Sequence, residues 1–313
     1  MLSFRRESTH QDQNYPQAKL ATNMGTVLSL CSLLRASIAH HLAGTDKRPT
    51  TAGAAVYNPL FLSLVYDRLV LGLYCTYVWR CPASTLQSLY NTLVGELQIS
   101  TTDSTSTRNP DTPATTGRIL DVGVGTGYFL ASTPLPENTS VTLFDLNPAC
   151  LEAASLRCKQ SHDGIPGLEV RTVCGDFLAP PDDANSIHQK LLDCQQQPGR
   201  FDIILTSLLL HCVPGPPQRK ASALASLARL VEPRFGVLAG ATILGDRADG
   251  VRHNLLGRFI LFWHNALGMF DNRGDDVLAF ISALRNEFDD VKWEVVGTAL
   301  IFQARLPKGD QNN

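Results

Sequence analysis

Acids and glycines in one short stretch form the part of this sequence best suited to holding a polar ligand. Asp121 ends an apolar run, Arg118-Ile-Leu-Asp, and Gly123, Gly125 and Gly127 follow at alternate positions. A carboxylate accepts hydrogen bonds or faces a cation, and residues without side chains let the backbone turn sharply and let a ligand lie against it. A helix beginning just after Gly127 aims its free N–H groups at the same place. The spacing narrows the ligand. A nicotinamide-binding turn needs G-x-G-x-x-G, but Tyr128 follows Gly127 directly, and no G-K-[ST] marks a phosphate-cradling loop.

Further acids follow in order. Val141-Thr-Leu-Phe-Asp-Leu-Asn147 reads as a second strand ending in Asp145, next to Leu146. An acid at that tip can accept hydrogen bonds from both hydroxyls of a ribose. Leu168 to Cys174 reads as a third strand, followed by Gly175-Asp176-Phe177, and Phe201-Asp-Ile-Ile-Leu-Thr-Ser207 as a fourth. Each acid alone also reads as a turn or cap residue. Together, D-x-G-x-G-x-G and these landmarks resemble the class I S-adenosylmethionine-dependent methyltransferases, with 121–127 as motif I and 201–207 as motif IV. The resemblance implies S-adenosylmethionine as cofactor. It places Asp121, Gly123, Gly125 and Gly127 in the cradle, Asp145 and Leu146 at the ribose, Asp176 and Phe177 at the adenine, and Ser207 at the tip of the fourth strand. It also implies a Rossmann-like α/β fold with a seven-stranded, mostly parallel sheet of order 3-2-1-4-5-7-6 and helices on both faces.

Methyl transfer from a sulfonium needs a nucleophile held in line, so positioning supplies most of the rate, with a base for acceptors of high pKa. Three histidines compete for that role. His211 follows the fourth strand in Leu208-Leu-Leu-His-Cys-Val-Pro214, and His264 lies between Trp263 and Asn265 in a helical stretch. His253, after Arg252, reads as solvated. His211 and His264 are the catalytic candidates, with orientation or core packing as the competing readings. Tyr57, Tyr66, Tyr77, Trp79 and Phe270 could wall an apolar acceptor pocket, although aromatics at helical spacing are commonly plain core. No Cys/His/Asp/Glu cluster has metal-ligand spacing, and no metal is expected.

These residues need elements to carry them. Residues 1–52 read as a poorly ordered extension; Met24 to Leu42 is too short and interrupted for a membrane span, and packing as a helix is set against a weak organelle-targeting signal. Residues 53–99 form a helical cap: one helix closed by Trp79-Arg-Cys-Pro82, a second from Ser84 to Leu97. Ser, Thr and Pro dominate 100–117, a linker. The cofactor domain covers 118–306, with a helix over Ser222–Leu230, a buried fifth strand over Phe235–Thr242, an acceptor lid near 250–275 and two closing strands between Val291 and Ala304. Residues 307–313 are a tail. Ala55-Val-Tyr-Asn-Pro-Leu, Tyr66-Asp-Arg-Leu and Phe262-Trp-His-Asn-Ala-Leu-Gly-Met-Phe-Asp-Asn272 resemble a narrower group, the small-molecule methyltransferases of fungal secondary-metabolite clusters.

The 313 residues carry a net charge of −2, a pI of 6.4 and 18% charged residues. That balance fits a soluble enzyme and offers no basic field for nucleic acid. The eight cysteines show no C-x-x-C, so reduced, buried thiols and a cytoplasmic location are expected, without stable membrane insertion. The oligomeric state is not legible. The resulting expectation is methyl transfer to a small, fairly apolar acceptor, with O-methylation of a polyketide-like enol or phenol as the leading reading. The alternatives are a cyclase or isomerase of the same fold that keeps the cofactor without transferring methyl, and a non-catalytic protein that senses it.

Overall fold

The computed structural model describes residues 62–103, 117–193 and 200–310. Two compact units divide the chain, Met1–Asp46 and Lys47–Asn313, and every described residue lies in the second. The N-terminal extension, Tyr57 and most of the Ser/Thr/Pro-rich linker fall outside the described residues.

Seven strands form one sheet in the order β3-β2-β1-β4-β5-β7-β6. They are β1 (Gly117–Val122), β2 (Thr139–Asp145), β3 (Glu169–Cys174), β4 (Ile203–Ser207), β5 (Val237–Ile243), β6 (Phe288–Val296) and β7 (Ala299–Pro307). The first five run parallel, and β7 inserts antiparallel between β5 and β6. This is the expected order, and its switch point lies between β1 and β4, where the sequence reverses direction across the sheet. In such sheets ligands sit outside the carboxyl ends of the strands at that point.

Alternation along the strands divides the core. Ile119, Val141, Leu143, Ile203 and Leu205 pack in one apolar layer, while Leu120, Val122, Phe144 and Ile204 pack in the other. The first layer is covered by the cap helix Leu62–Val78, wound as a π-helix, and by α1 (Ala83–Asp103), α2 (Tyr128–Ala131), α3 (Pro148–Ser161) and α6 (Leu255–Ala266). The second is covered by α5 (Pro217–Ser226) and α7 (Val277–Glu287), with Ile187 of α4 (Ile187–Asp193) at its edge.

Several boundaries differ from expectation for local reasons. α1 continues to Asp103, into the Ser/Thr stretch. α5 starts at Pro217 instead of Ser222, because a proline fits the first turn, where its missing N–H is not needed. α6 begins at Leu255, after Asn254 caps the N–H of Gly257 at 2.6 Å. His253 is not solvated: it is half-buried edge-on to Trp79, with Nε2 3.1 Å from the Leu244 carbonyl. Cys174 is exposed instead of buried. Lys220 and Asp275, neither singled out from sequence, form a fully buried ion pair between α5 and the start of α7.

Candidate active site

The stretch between β1 and α2 owes its shape to its glycines. Gly127 has φ +67°, and a Cβ there would lie 2.8–2.9 Å from Ala154 of α3, so only glycine lets loop and helix meet. Gly125 has φ +52° and faces open space. Its missing side chain therefore serves whatever occupies that space and not the packing of the protein. The loop borders a cavity of about 380 Å³ at the carboxyl ends of β1, β2 and β4.

Two acids face this cavity. Asp145, at the tip of β2, accepts the Asn147 N–H at 2.9 Å and the Gly125 N–H at 3.4 Å. Burial raises its pKa, against the downward pull of these backbone donors. Asp121, on β1, is buried, and burial together with the neighbouring Asp145 pushes its pKa up to about 7. Across from them α1 contributes Tyr90, fully buried, whose phenol pKa rises through burial and the Asp121 charge. A ligand carrying positive charge relieves this crowding, and one with vicinal hydroxyls suits Asp145. Ser207, at the tip of β4, adds a buried hydroxyl beside Tyr90. The bare Gly125 and the paired acids fit the nucleoside-sulfonium cofactor that the sequence implies.

Leu71 of the cap helix, Val124, Leu208, Leu209, Val213 and Met269 give the wall an apolar stretch, and Thr126 and Asn147 add polar groups at the loop. Of the expected cofactor residues, Asp121, Gly123, Gly125, Gly127, Asp145, Leu146 and Ser207 meet at this one cavity. Asp176 and Phe177 do not line it. The Asp176 carboxylate accepts the Leu178 N–H at 2.8 Å within its own turn, and Phe177 is buried in the other apolar layer.

The two histidines also stand off the wall. They flank Phe270, the neighbour of Met269. His264 stacks on that ring at 4.7 Å and 22°, and His211 meets it edge-on at 4.4 Å. Their hydrogen bonds differ. His211 Nδ1 accepts the Ile243 N–H at 3.4 Å, which puts its proton on Nε2. Burial, then Lys220, then His264 lower its pKa to about 3, so the ring is neutral. His264 Nδ1 lies 2.8 Å from the Ile260 carbonyl, which fixes the proton on Nδ1 and leaves a lone pair on Nε2. Burial lowers its pKa as well.

Sequence reasoning missed Tyr90, Leu71 and Met269. They arrive from separate elements, and nothing in their local sequence distinguishes them from core residues. Among the described residues no helix is long and apolar enough to cross a membrane.

Comparison with known proteins identifies the family. The methyltransferase-domain family matches residues 99–296. A physcion biosynthesis cluster O-methyltransferase of Aspergillus chevalieri is 33% identical over 262 residues, covering 83% of this chain and 97% of that protein. Methyltransferase verB of Penicillium polonicum is 31% identical, covering 81% and 98%, and O-methyltransferase adaD of Aspergillus niger is 30% identical, covering 80% and 87%. With its sheet order, its glycine cradle and these relatives, the chain belongs to the methyltransferase-domain family as a class I S-adenosylmethionine-dependent enzyme.

Proposed function

We propose that this enzyme methylates an oxygen of a small, apolar, polyketide-like acceptor. The observation that carries the reading is the composition of the cavity. Asp121, Thr126, Asp145, Asn147 and Ser207 supply polar groups along the strand tips and the glycine loop, and an apolar stretch of Leu71, Leu208, Leu209, Val213 and Met269 adjoins them. A flat hydrophobic acceptor suits the second part, and the relatives include O-methyltransferases. The cofactor supplies an activated methyl on sulfur. The protein binds the cofactor through Asp145 and the glycine loop, faces its charge with Asp121, and keeps water out with the apolar wall.

The histidines divide the remaining work. Neither ring lines the cavity, so each would act on an acceptor that reaches past Met269 to Phe270: there His264, with its Nε2 lone pair, suits taking a proton, and His211, neutral with its proton on Nε2, suits donating a hydrogen bond to an acceptor oxygen. Asp176 and Phe177 are candidates for the adenine end when the cofactor is bound. The thiols of Cys75, Cys81, Cys150 and Cys212 are pushed up to about 11–12, mainly by burial, and suit a reducing compartment such as the cytoplasm.

The test incubates the enzyme with methyl-labelled S-adenosylmethionine and a panel of phenolic and enolic polyketides. Label in an O-methyl product is expected. A rearranged product without label would instead reveal a cyclase or isomerase, and cofactor binding without any conversion a sensor. Direct transfer from a sulfonium needs no Lewis acid, so turnover is expected to survive a chelator. Loss on chelation restored by magnesium would overturn that.

A further inference from the structure

The cofactor loop is held from outside the sheet as well as from within it. Thr126, between Gly125 and Gly127, donates its hydroxyl to Asp67 Oδ1 of the cap helix at 2.8 Å. Arg157 of α3 pairs with the other oxygen of the same carboxylate and also donates to the Thr126 carbonyl at 3.1 Å. Its guanidinium lies 5.8 Å from the centre of the Tyr128 ring. All three groups are sheltered: Thr126 is buried, and Asp67 and Arg157 are 15% and 32% exposed. Ala154, one turn before Arg157, packs against Gly127. Thr126 and Arg157 thus belong to the cofactor half, whereas Asp67 belongs to the cap. Leu71, four residues after Asp67 on the same helix, forms part of the cavity wall.

From this geometry we infer that Asp67 is a positioning residue that latches the cap helix to the cofactor loop, so that cofactor binding and enclosure of the acceptor side of the cavity are coupled. Thr126 satisfies Asp67 only when the loop between Gly125 and Gly127 holds the shape described. A ligand that fixes this shape therefore also fixes the cap, and by reciprocity a docked cap tightens the loop around its ligand.

The test uses S-adenosylhomocysteine alone, and no acceptor is needed. Hydrogen exchange of the Leu71–Val78 amides and calorimetric affinity are measured for the wild type, Asp67→Ala, Thr126→Val and Thr126→Ser. In the wild type the ligand is expected to slow exchange in the loop and in the cap together. In Asp67→Ala it should slow the loop but no longer the cap, and affinity should fall roughly tenfold, the weight of one hydrogen bond to a charged acceptor; in Thr126→Val, where Arg157 still holds Asp67, both effects should weaken in the same direction. Thr126→Ser keeps the hydroxyl and should restore both effects. Melting temperatures of the free variants verify that each is folded. Cap protection by the ligand that persists in folded Asp67→Ala overturns the latch, as does an affinity within twofold of wild type in both disrupting variants. Failure of the wild type to bind the ligand at all would be a different result and would strike the cofactor assignment itself.

Discussion

Gly125 and Gly127 are two residues apart in one motif and require glycine for different reasons. At Gly127 an added Cβ meets the Ala154 backbone and side chain, so Gly127→Ala should destabilise the fold itself. At Gly125 the space is open, and an Ala suffers chiefly the left-handed backbone, about 1–2 kcal/mol. Gly125→Val should therefore stay folded and lose cofactor affinity by tenfold or more, roughly the consequence of a side chain in the ligand's place. Calorimetry paired with thermal melts separates the two. A folded Gly125→Val with wild-type affinity would remove this loop from cofactor binding. Asp121 carries a second prediction. Its folded pKa of about 7 lies above the ordinary 3.8. The folded protein thus holds a proton that the unfolded chain has lost, so this contribution to stability is full below the lower value and fades as pH rises through the upper one. The cofactor's positive charge favours the ionised carboxylate, so binding should release protons and tighten between about pH 5 and 8. Asp121→Asn should flatten both slopes. Calorimetry in buffers of different ionisation heat reads the released protons, and an equal slope in Asp121→Asn would assign the titration to another group. Asp145 shares the cavity, so the two carboxylates titrate as a pair.

Elements were legible where a local rule fixes them. The alternation of apolar residues in β1, β2 and β4, and the glycines after β1, mark the loop in sequence, and the structure brings seven of the expected residues to one cavity. Asp176 and Phe177 were not gathered there, because an acid that closes its own turn looks the same in sequence as one that awaits a ligand. Tyr90 and Met269 reach the cavity by tertiary packing alone. The buried Lys220 was hidden for the same reason: the sequence reading starts that helix at Ser222, and a lysine in Gln218-Arg-Lys-Ala carries no local mark of burial. Its ammonium is enclosed, bonded to both oxygens of Asp275 at 2.9–3.0 Å and to the Asp271 carbonyl. This joins α5 to the segment that carries Met269 and Phe270, which is further held by Asn272 donating to the Ile243 carbonyl at 2.9 Å. Removing one partner of a buried pair strands the other, so Lys220→Met should cost about 3–5 kcal/mol, and Lys220→Met with Asp275→Leu appreciably less. Denaturant titration measures both. A single variant within about 1 kcal/mol of wild type would mean that water reaches the site and screens the charge.

At the scale of the whole molecule the cavity is a junction. The cap helix supplies Leu71, α1 supplies Tyr90, the strand tips supply the acids, and the segment after α6 supplies Met269. A ligand held by all of them cannot stabilise one part alone. By mass action, S-adenosylhomocysteine at a hundred times its dissociation constant adds about 2.7 kcal/mol to the folded state. For a unit of this size each kcal/mol raises the melting temperature by about 2–4 °C, so one transition should move up by several degrees as a whole. Because the cap and sheet share this ligand, the shift should appear equally by tryptophan fluorescence of a Trp263→Phe, Trp293→Phe variant, in which buried Trp79 at the end of the cap helix is the remaining reporter, and by far-ultraviolet dichroism, which reports the sheet and helices together. Asp145→Ala, measured at the same ligand concentration, should lose most of the shift, since two hydrogen bonds to a charged acceptor contribute roughly 3–6 kcal/mol to binding. Two separate transitions, with only one of them moved by ligand, would show that cap and sheet unfold independently and that the cavity is not the junction its walls describe.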